Sequence, residues 1–242
     1  MSLPESAWQT AMESWPDALF EMSLVKDRVP LSRNDLINIG LATPDFRRAL
    51  DTEERPTFSA ATRKSLDNVL AEHSDGGFIR LGFCSFKHPF TVLSPLKNGQ
   101  DALRLMSMDN ERVATFAVQY LLTEKPCVLF ISSWCSIPKW AEFRIFIRDY
   151  KVIGISQYHH RTRYAELNAK LLALEHSLYA FAERLLETLH IPSAAADVWI
   201  DLSDASEATH LIDLNPLIRQ TDPCLFSWND TASFDGGLRI WE

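Results

Sequence analysis

Glycine is scarce, at eight residues in 242. None of the eight completes a G-x-x-x-x-G-K-[ST] loop or a G-x-G-x-x-G turn, so neither a P-loop nor a Rossmann dinucleotide site is indicated. Any phosphate bound here has to be held by side chains. The four cysteines, Cys84, Cys127, Cys135 and Cys224, lack the paired short spacing of a zinc or redox motif. Reduced thiols that mostly pack are the simplest account of them. No uninterrupted apolar run approaches the roughly 20 residues that cross a bilayer. The first residues carry Pro4, Glu5, Glu13, Pro16 and Asp17 where a signal region would be basic and then apolar. A cytoplasmic protein without a membrane partner is expected. Positive charge is also short, with 24 Lys and Arg against 32 Asp and Glu and a net charge of -8, which argues against a dominant nucleic-acid footprint. What the chain does have is apolar mass, 46% of residues, enough for a sizeable core in one large domain or two small ones.

Periodicity supplies the organisation. Residues 57–73 carry Phe58, Leu66, Val69 and Leu70 at helical spacing and stop before Asp75-Gly76-Gly77, a strong turn signal. Phe78 to Phe83 then reads as a strand, with helical patches at Asp101 to Leu105 and Glu111 to Leu122. Val128 to Ile131 is an apolar run of strand length. Ala141 to Ile147 and Lys151 to Gln157 alternate around Asp149, the expected turn residue of a hairpin. From Tyr164 to His190, Leu167, Leu171, Leu174, Leu178, Phe181, Leu185 and Leu189 draw the stripe of a long amphipathic helix, expected to cover a sheet face.

The most informative stretch is Val198-Trp199-Ile200-Asp201 followed by His210-Leu211-Ile212-Asp213-Leu214-Asn215-Pro216. It reads as a hairpin. Strand side chains alternate faces, so Asp213 and Asn215 share one side and Ile212 and Leu214 the other. A turn centred near Glu207 would set Asp201 against Asp213, and facing carboxylates repel unless a positive charge sits between them. Mg²⁺ takes oxygen ligands, often one or two carboxylates together with substrate phosphates. The plain alternative is an edge hairpin with solvated acids. Arg80 stands in an apolar strand and so calls for an anionic partner. Glu142 and Arg144 share one face of their strand, where the arginine either pairs with a neighbouring strand or reads phosphate oxygens. His159 and His160 face opposite ways and read as a solvated hairpin end. Asp222 reads as the cap of a turn. Gln157 lies near the expected cleft.

Taken in order, Glu142-Phe143-Arg144, Gly154-Ile155-Ser156-Gln157, Asp201, Ile212-Asp213-Leu214-Asn215-Pro216 and Thr221-Asp222-Pro223-Cys224-Leu225-Phe226-Ser227-Trp228 resemble the eukaryotic translation-initiation-factor-2 assembly chaperone family of cell-division-cycle proteins. The resemblance is clearest from about Val128 onward. It implies an α+β ATP-grasp fold, two lobes with antiparallel sheets and a nucleotide cleft between them. The smaller lobe with the N-terminal region would be residues 1–125, and the lobe with the metal-binding hairpin 126–242. It implies ATP and Mg²⁺ as ligands, with Asp201, Asp213 and Asn215 on the metal and Arg144 on the phosphate side. Ile131 to Cys135, with Ser133, Trp134 and Cys135, resembles the hinge whose free backbone amides face adenine. Arg80 stands where the eukaryotic proteins carry lysine, Lys87 where they carry another basic residue, and Ser132-Ser133 where they carry basic ones. Glu142 and Gln157 complete the expected nucleotide set.

Arg80 in place of lysine is similar to prokaryotic and viral relatives thought of as peptide or amine ligases. The reading that follows is an ATP- and Mg-dependent carboxylate-amine ligase acting through an acyl phosphate on an unknown second substrate. The alternatives are an ATP-binding assembly chaperone for an initiation-factor subunit and a non-catalytic pseudoenzyme.

Overall fold

The structure is a computed structural model that describes residues 3–87, 94–201 and 208–241. In chain order its helices and strands are α1 (Glu5–Thr10), α2 (Asp17–Glu21), β1 (Val25–Leu31), α3 (Arg33–Leu41), α4 (Pro44–Ala49), α5 (Ala60–Leu70), β2 (Gly77–Leu81), α6 (Gly99–Met106), α7 (Glu111–Thr123), β3 (Cys127–Ser133), β4 (Glu142–Arg148), β5 (Lys151–Gln157), α8 (Ala165–Thr188), β6 (Ala194–Asp201), β7 (Ala208–Asn215) and β8 (Leu238–Arg239). The class is α+β, as the resemblance implies. The chain divides into two units, one of Met1–Pro4 and Val25–Cys135, the other of Glu5–Leu24 and Ser136–Glu242. The first of these units ends at Cys135. The reason is β3, which pairs with β1 and β2 on either side and so belongs to the first unit.

The first unit is built on the antiparallel sheet β1-β3-β2. Its central strand is the apolar run read from the sequence, with Leu129, Phe130 and Ile131 fully buried. β1, with the sequence VKDRVPL, is an edge strand. An edge tolerates Pro30, which has no N–H to give to a ladder. Helix starts are fixed by side-chain caps. Ser32 Oγ accepts from the Asp35 amide and the Asp35 carboxylate accepts from the Ser32 amide, a reciprocal pair that satisfies two orphan donors of α3. Asn98 and Asn110 cap α6 and α7 by one bond each, their side-chain oxygens accepting from the Asp101 and Val113 amides. After α5, Gly76 at φ +92 turns the chain into β2, a conformation that disfavours any residue with a Cβ.

The second unit is built on a five-stranded sheet, β7-β6-β4-β5-β8, antiparallel except for the parallel pair β5 and β8. Asp149 and Tyr150, at φ 51 and 56, are the two-residue turn between β4 and β5. Positive φ at both positions is the type I′ geometry that matches strand twist. α8 packs against β6 and β7. Leu167, Leu174, Leu178, Phe181 and Leu185 of the expected stripe are buried, while Leu171 stays partly exposed.

Register arranges this sheet in transverse rows. Arg239, Ser156, Arg144, Asp197 and Asp213 face one another in sequence across β8, β5, β4, β6 and β7. The neighbouring row, Leu238, Ile155, Ile145, Ala196 and Leu214, is apolar and points to the opposite face. Two residues along from Arg144 and Asp197, Phe146 and Ala195 carry a cluster with Phe226, Trp228 and Phe234 of the C-terminal segment. Phe226 approaches Gly154 so closely that a Cβ there would collide with its ring. The polar row thus lies beside an aromatic cluster on one sheet face.

Candidate functional site

Strand pairing brings Asp197 and Asp213 face to face in the middle of the β6–β7 pair. The expected partner was Asp201, from a turn near Glu207, a residue outside the described ones. Instead both strands run up to the reversal, Asp201 faces Ala208, and an irregularity between Asp197 and Val198 shifts the register further. Asp201 keeps the same strand face as Asp197, since both positions have one parity. It lies four residues away, roughly 13 Å at the strand rise, too far to share an ion with Asp213. Asp213 and Asn215 do share a face, as read from the sequence. The acid that joins them is Asp197, and Asn215 Nδ2 donates to its Oδ2 at 3.0 Å.

Arg144 completes the cluster. Its Nε donates to Asp197 Oδ1 at 2.6 Å and its Nη2 to Asp197 Oδ2 at 2.9 Å, a two-point fork. Nη1 donates to the Asp222 carbonyl at 2.9 Å. The guanidinium lies 4.9 Å from the centre of the Tyr158 ring. Burial works against its charge, but the attraction and hydrogen bonds of Asp197 outweigh that, so its pKa rises above an already high value. Arg144 is therefore a permanent cation whose fork is engaged by protein. Its first task is to offset one of two facing acids. Tyr158, desolvated by burial and beside Asp197, is pushed up to about 12 and stays neutral.

The remaining expected residues of this unit have other partners. The Glu142 carboxylate lies 3.3 Å from His159 Nε2 at the start of β4. Gln157 is fully buried. Its Nε2 donates to the His159 and Thr162 carbonyls, both at 2.7 Å, and its Oε1 accepts from the Trp241 amide at 3.0 Å. That amide pins two backbone segments and has both ends occupied by protein, which corrects its expected place on the nucleotide.

In the first unit, Arg80 is buried in β2, and its Nε donates to the Leu81 carbonyl at 3.3 Å. Lys87 is exposed. Ser133 ends β3, with Oγ 2.9 Å from His73 Nδ1, while His73 Nε2 lies 3.0 Å from Asp27. The Trp134 amide donates to the Gly76 carbonyl at 2.8 Å. The free hinge amides expected here are thus corrected at Trp134, because the chain continues the β2–β3 pairing for one further bond. Cys135, half-buried, follows directly.

Asp197 was missed in the sequence although the signal was present. It is an acid inside the apolar run Ala194-Ala195-Ala196-Asp197-Val198, the same kind of anomaly that singled out Arg80. A buried acid implies a buried cation or a metal, and Arg144 answers for the first.

The D123 family matches residues 112–236, a span holding all of β4 to β7. The chain belongs to the D123 family. Two relatives bear the name translation initiation factor eIF2 assembly protein. The one from Candida albicans is 30% identical over 105 residues, 41% of this chain and 29% of that protein. The one from Kluyveromyces lactis is 36% identical over 112 residues, 44% of this chain and 29% of that protein. The chain thus spans less than a third of the length of these curated relatives in matched sequence. The solved structure of Cdc123 from Schizosaccharomyces pombe resembles the whole fold, with a TM-score of 0.76, 16% identity and coverage of 100% of this chain and 99% of that one. These relatives are eukaryotic, so the prokaryotic or viral character read from Arg80 finds no support among them. No described helix is long and apolar enough to cross a membrane.

Proposed function

We propose that this chain is a nucleotide-binding assembly factor, acting on translation initiation factor eIF2 or one of its subunits in the manner its relatives' names describe. Asp197, Asp213 and Asn215 would hold Mg²⁺ with its nucleotide. The observation that carries the nucleotide part is the row Arg144–Asp197–Asp213, in which two acids face each other across β6 and β7 and Arg144 holds Asp197 by a two-point fork. Family membership and the relatives' names support the assembly part.

The donor set fits a hard cation. It consists of two carboxylates and an amide, and with Asn215 Nδ2 given to Asp197 the amide oxygen is left to face elsewhere. When bound, Mg²⁺ would supply neutralisation of phosphate charge and a fixed orientation for the phosphate chain. The chain's own residues prepare for this. Arg144 holds Asp197 oriented, Asn215 ties β7 to the same carboxylate, and Asp213 faces it from β7 as the second acid.

The ligase reading needs a second substrate, and no described residue is assigned to one. The assembly reading is favoured because relatives in the family carry that name. Capture of purified eIF2 subunits on the immobilised chain, with Mg-ATP, with ATP and EDTA, and without nucleotide, tests it. Retention of one subunit, strengthened by Mg-ATP, is expected. Failure to retain any subunit, together with ATP turnover stimulated by an amine and a carboxylate, would replace assembly with ligation.

A further inference from the structure

A second convergence of ligating side chains lies apart from the acid cluster. His160, Asp222 and Cys224 each offer a ligand atom, and these atoms lie within 4.8 Å of one another. They come from two separate segments, the turn after β5 and the loop after β7. Each segment is fastened to the sheet independently of the trio. Arg144 Nη1 of β4 holds the Asp222 carbonyl at 2.9 Å, and the Leu225 amide donates to Ser156 Oγ of β5 at 3.2 Å. On the other side, Gln157 Nε2 anchors the His159 carbonyl at 2.7 Å. The three residues are therefore brought together by the fold.

Two details prepare them as ligands. His160 Nδ1 lies 3.1 Å from the Tyr158 carbonyl. A carbonyl only accepts, so Nδ1 is the donor here and Nε2 is the nitrogen left to face a metal. Metal-bound histidines are oriented and held in one tautomer by this kind of outer bond. The Asp222 carboxylate accepts from the Cys224 amide at 2.8 Å while Cys224 takes φ 55, so the acid and the thiol are locked in one tight turn. A carboxylate has about four lone-pair sites, so one amide bond leaves capacity for an ion.

We propose that His160, Asp222 and Cys224 form a transition-metal site, taking Zn²⁺ through one nitrogen, one oxygen and one sulfur with the fourth position open. The sulfur and nitrogen select a borderline-soft ion over Mg²⁺. On binding, the Cys224 S–H bond breaks, its proton leaves to solvent and the thiolate bonds the metal. Ligands around tetrahedral zinc stand roughly 3.3 to 3.6 Å apart at ordinary bond lengths. The trio has to close by about an ångström, within reach of side-chain rotation. The nearby Arg144 charge does not prevent this, because Asp197 already offsets it. The bound ion would clip the turn after β5 to the Asp222–Cys224 loop, whose carbonyl also holds Arg144. The proposal is independent of the nucleotide reading.

The test is a Co²⁺ titration of the metal-free chain followed by absorbance, with Zn²⁺ as competitor. Expected is one equivalent bound, with a thiolate-to-cobalt charge-transfer band that excess Mg²⁺ leaves intact and Zn²⁺ removes. Cys224→Ser should abolish the band, and His160→Gln should weaken Co²⁺ binding at least tenfold, with circular dichroism unchanged in both. A readout without variants is alkylation of Cys224, followed by peptide mass spectrometry, which Zn²⁺ should slow at least tenfold. Absence of the band in the unsubstituted chain, its survival in Cys224→Ser, or equal alkylation with and without Zn²⁺ would overturn the site.

Discussion

Replacing Asp197 by alanine probes the centre of the second unit. The carboxylate accepts Nε and Nη2 of Arg144 at 2.6 and 2.9 Å and Nδ2 of Asn215 at 3.0 Å. The two charged side chains are 6% and 12% exposed. Removing the acid leaves a guanidinium that cannot lose its proton buried beside one remaining acceptor, the Asp222 carbonyl. Breaking a buried pair in this way costs about 3–5 kcal/mol. An opposing effect exists, since Asp197 faces Asp213 and its loss relieves their repulsion. Facing Cβ atoms stand roughly 5 Å apart, against a hydrogen-bonded contact at 2.6 Å to Arg144, so the pair wins. An exposed pair such as Arg48 and Asp45, at 78% and 69% exposure, should cost no more than about 1 kcal/mol. The assay is urea unfolding followed by circular dichroism on Asp197→Ala, Asp45→Ala and the double variant Asp197→Ala with Arg144→Met. The double variant should be more stable than Asp197→Ala, because it no longer buries a lone charge. A loss under about 1 kcal/mol for Asp197→Ala, or no recovery in the double variant, would refute the reasoning.

Asp201→Ala, at the end of β6, should leave Mg-ATP affinity unchanged; a tenfold loss of affinity would restore it to the metal. Gln157→Leu should cost about 1–3 kcal/mol by stranding the His159 and Thr162 carbonyls and the Trp241 amide, and a pure affinity loss at full stability would mark it as a ligand instead. Gly154→Ala should lower the unfolding free energy by about 1–3 kcal/mol as the Phe226 ring is displaced, and an unchanged unfolding midpoint would contradict the packing. Tyr158 titrates near 12 in the fold against 10.0 normally, mainly because burial disfavours the phenolate. The native state then holds a proton the unfolded state releases, so this contribution is full below pH 10.0 and is lost as pH rises toward 12. Tyr158→Phe should flatten that limb of a stability-against-pH curve, and an equally steep limb would show that another group carries it.

Much of the fold was legible because it rests on local pattern. The α8 stripe, the central run of β3 and the Asp149 turn each announce themselves within a few residues. β1 did not, since Lys26, Asp27, Arg28 and Pro30 mask an edge strand whose buried positions are few. The site was half legible. Asp213 and Asn215 follow from strand parity, which no turn can alter. The acid opposite them depends on where the chain reverses, and moving that reversal by two residues shifts the partner by four, from Asp201 to Asp197. Gln157 and Trp134 show a further limit. Sequence marks a polar group near a site, but only the fold shows that its bonds are already made. The trio of His160, Asp222 and Cys224 was beyond reading, because its segments lie some 60 residues apart and Cys224 belongs to no spaced motif.

The central claim is that the row from Arg144 through Asp197 to Asp213, with Asn215, holds a nucleotide-bound metal. Calorimetric titration of ATP into the chain and into Asp213→Asn, each with and without Mg²⁺, tests it directly. The account predicts ATP binding that requires Mg²⁺ in the parent chain and weakens at least tenfold in Asp213→Asn, with the fold intact by circular dichroism. Equal binding by both proteins, binding indifferent to Mg²⁺, or no binding by the parent chain would contradict it.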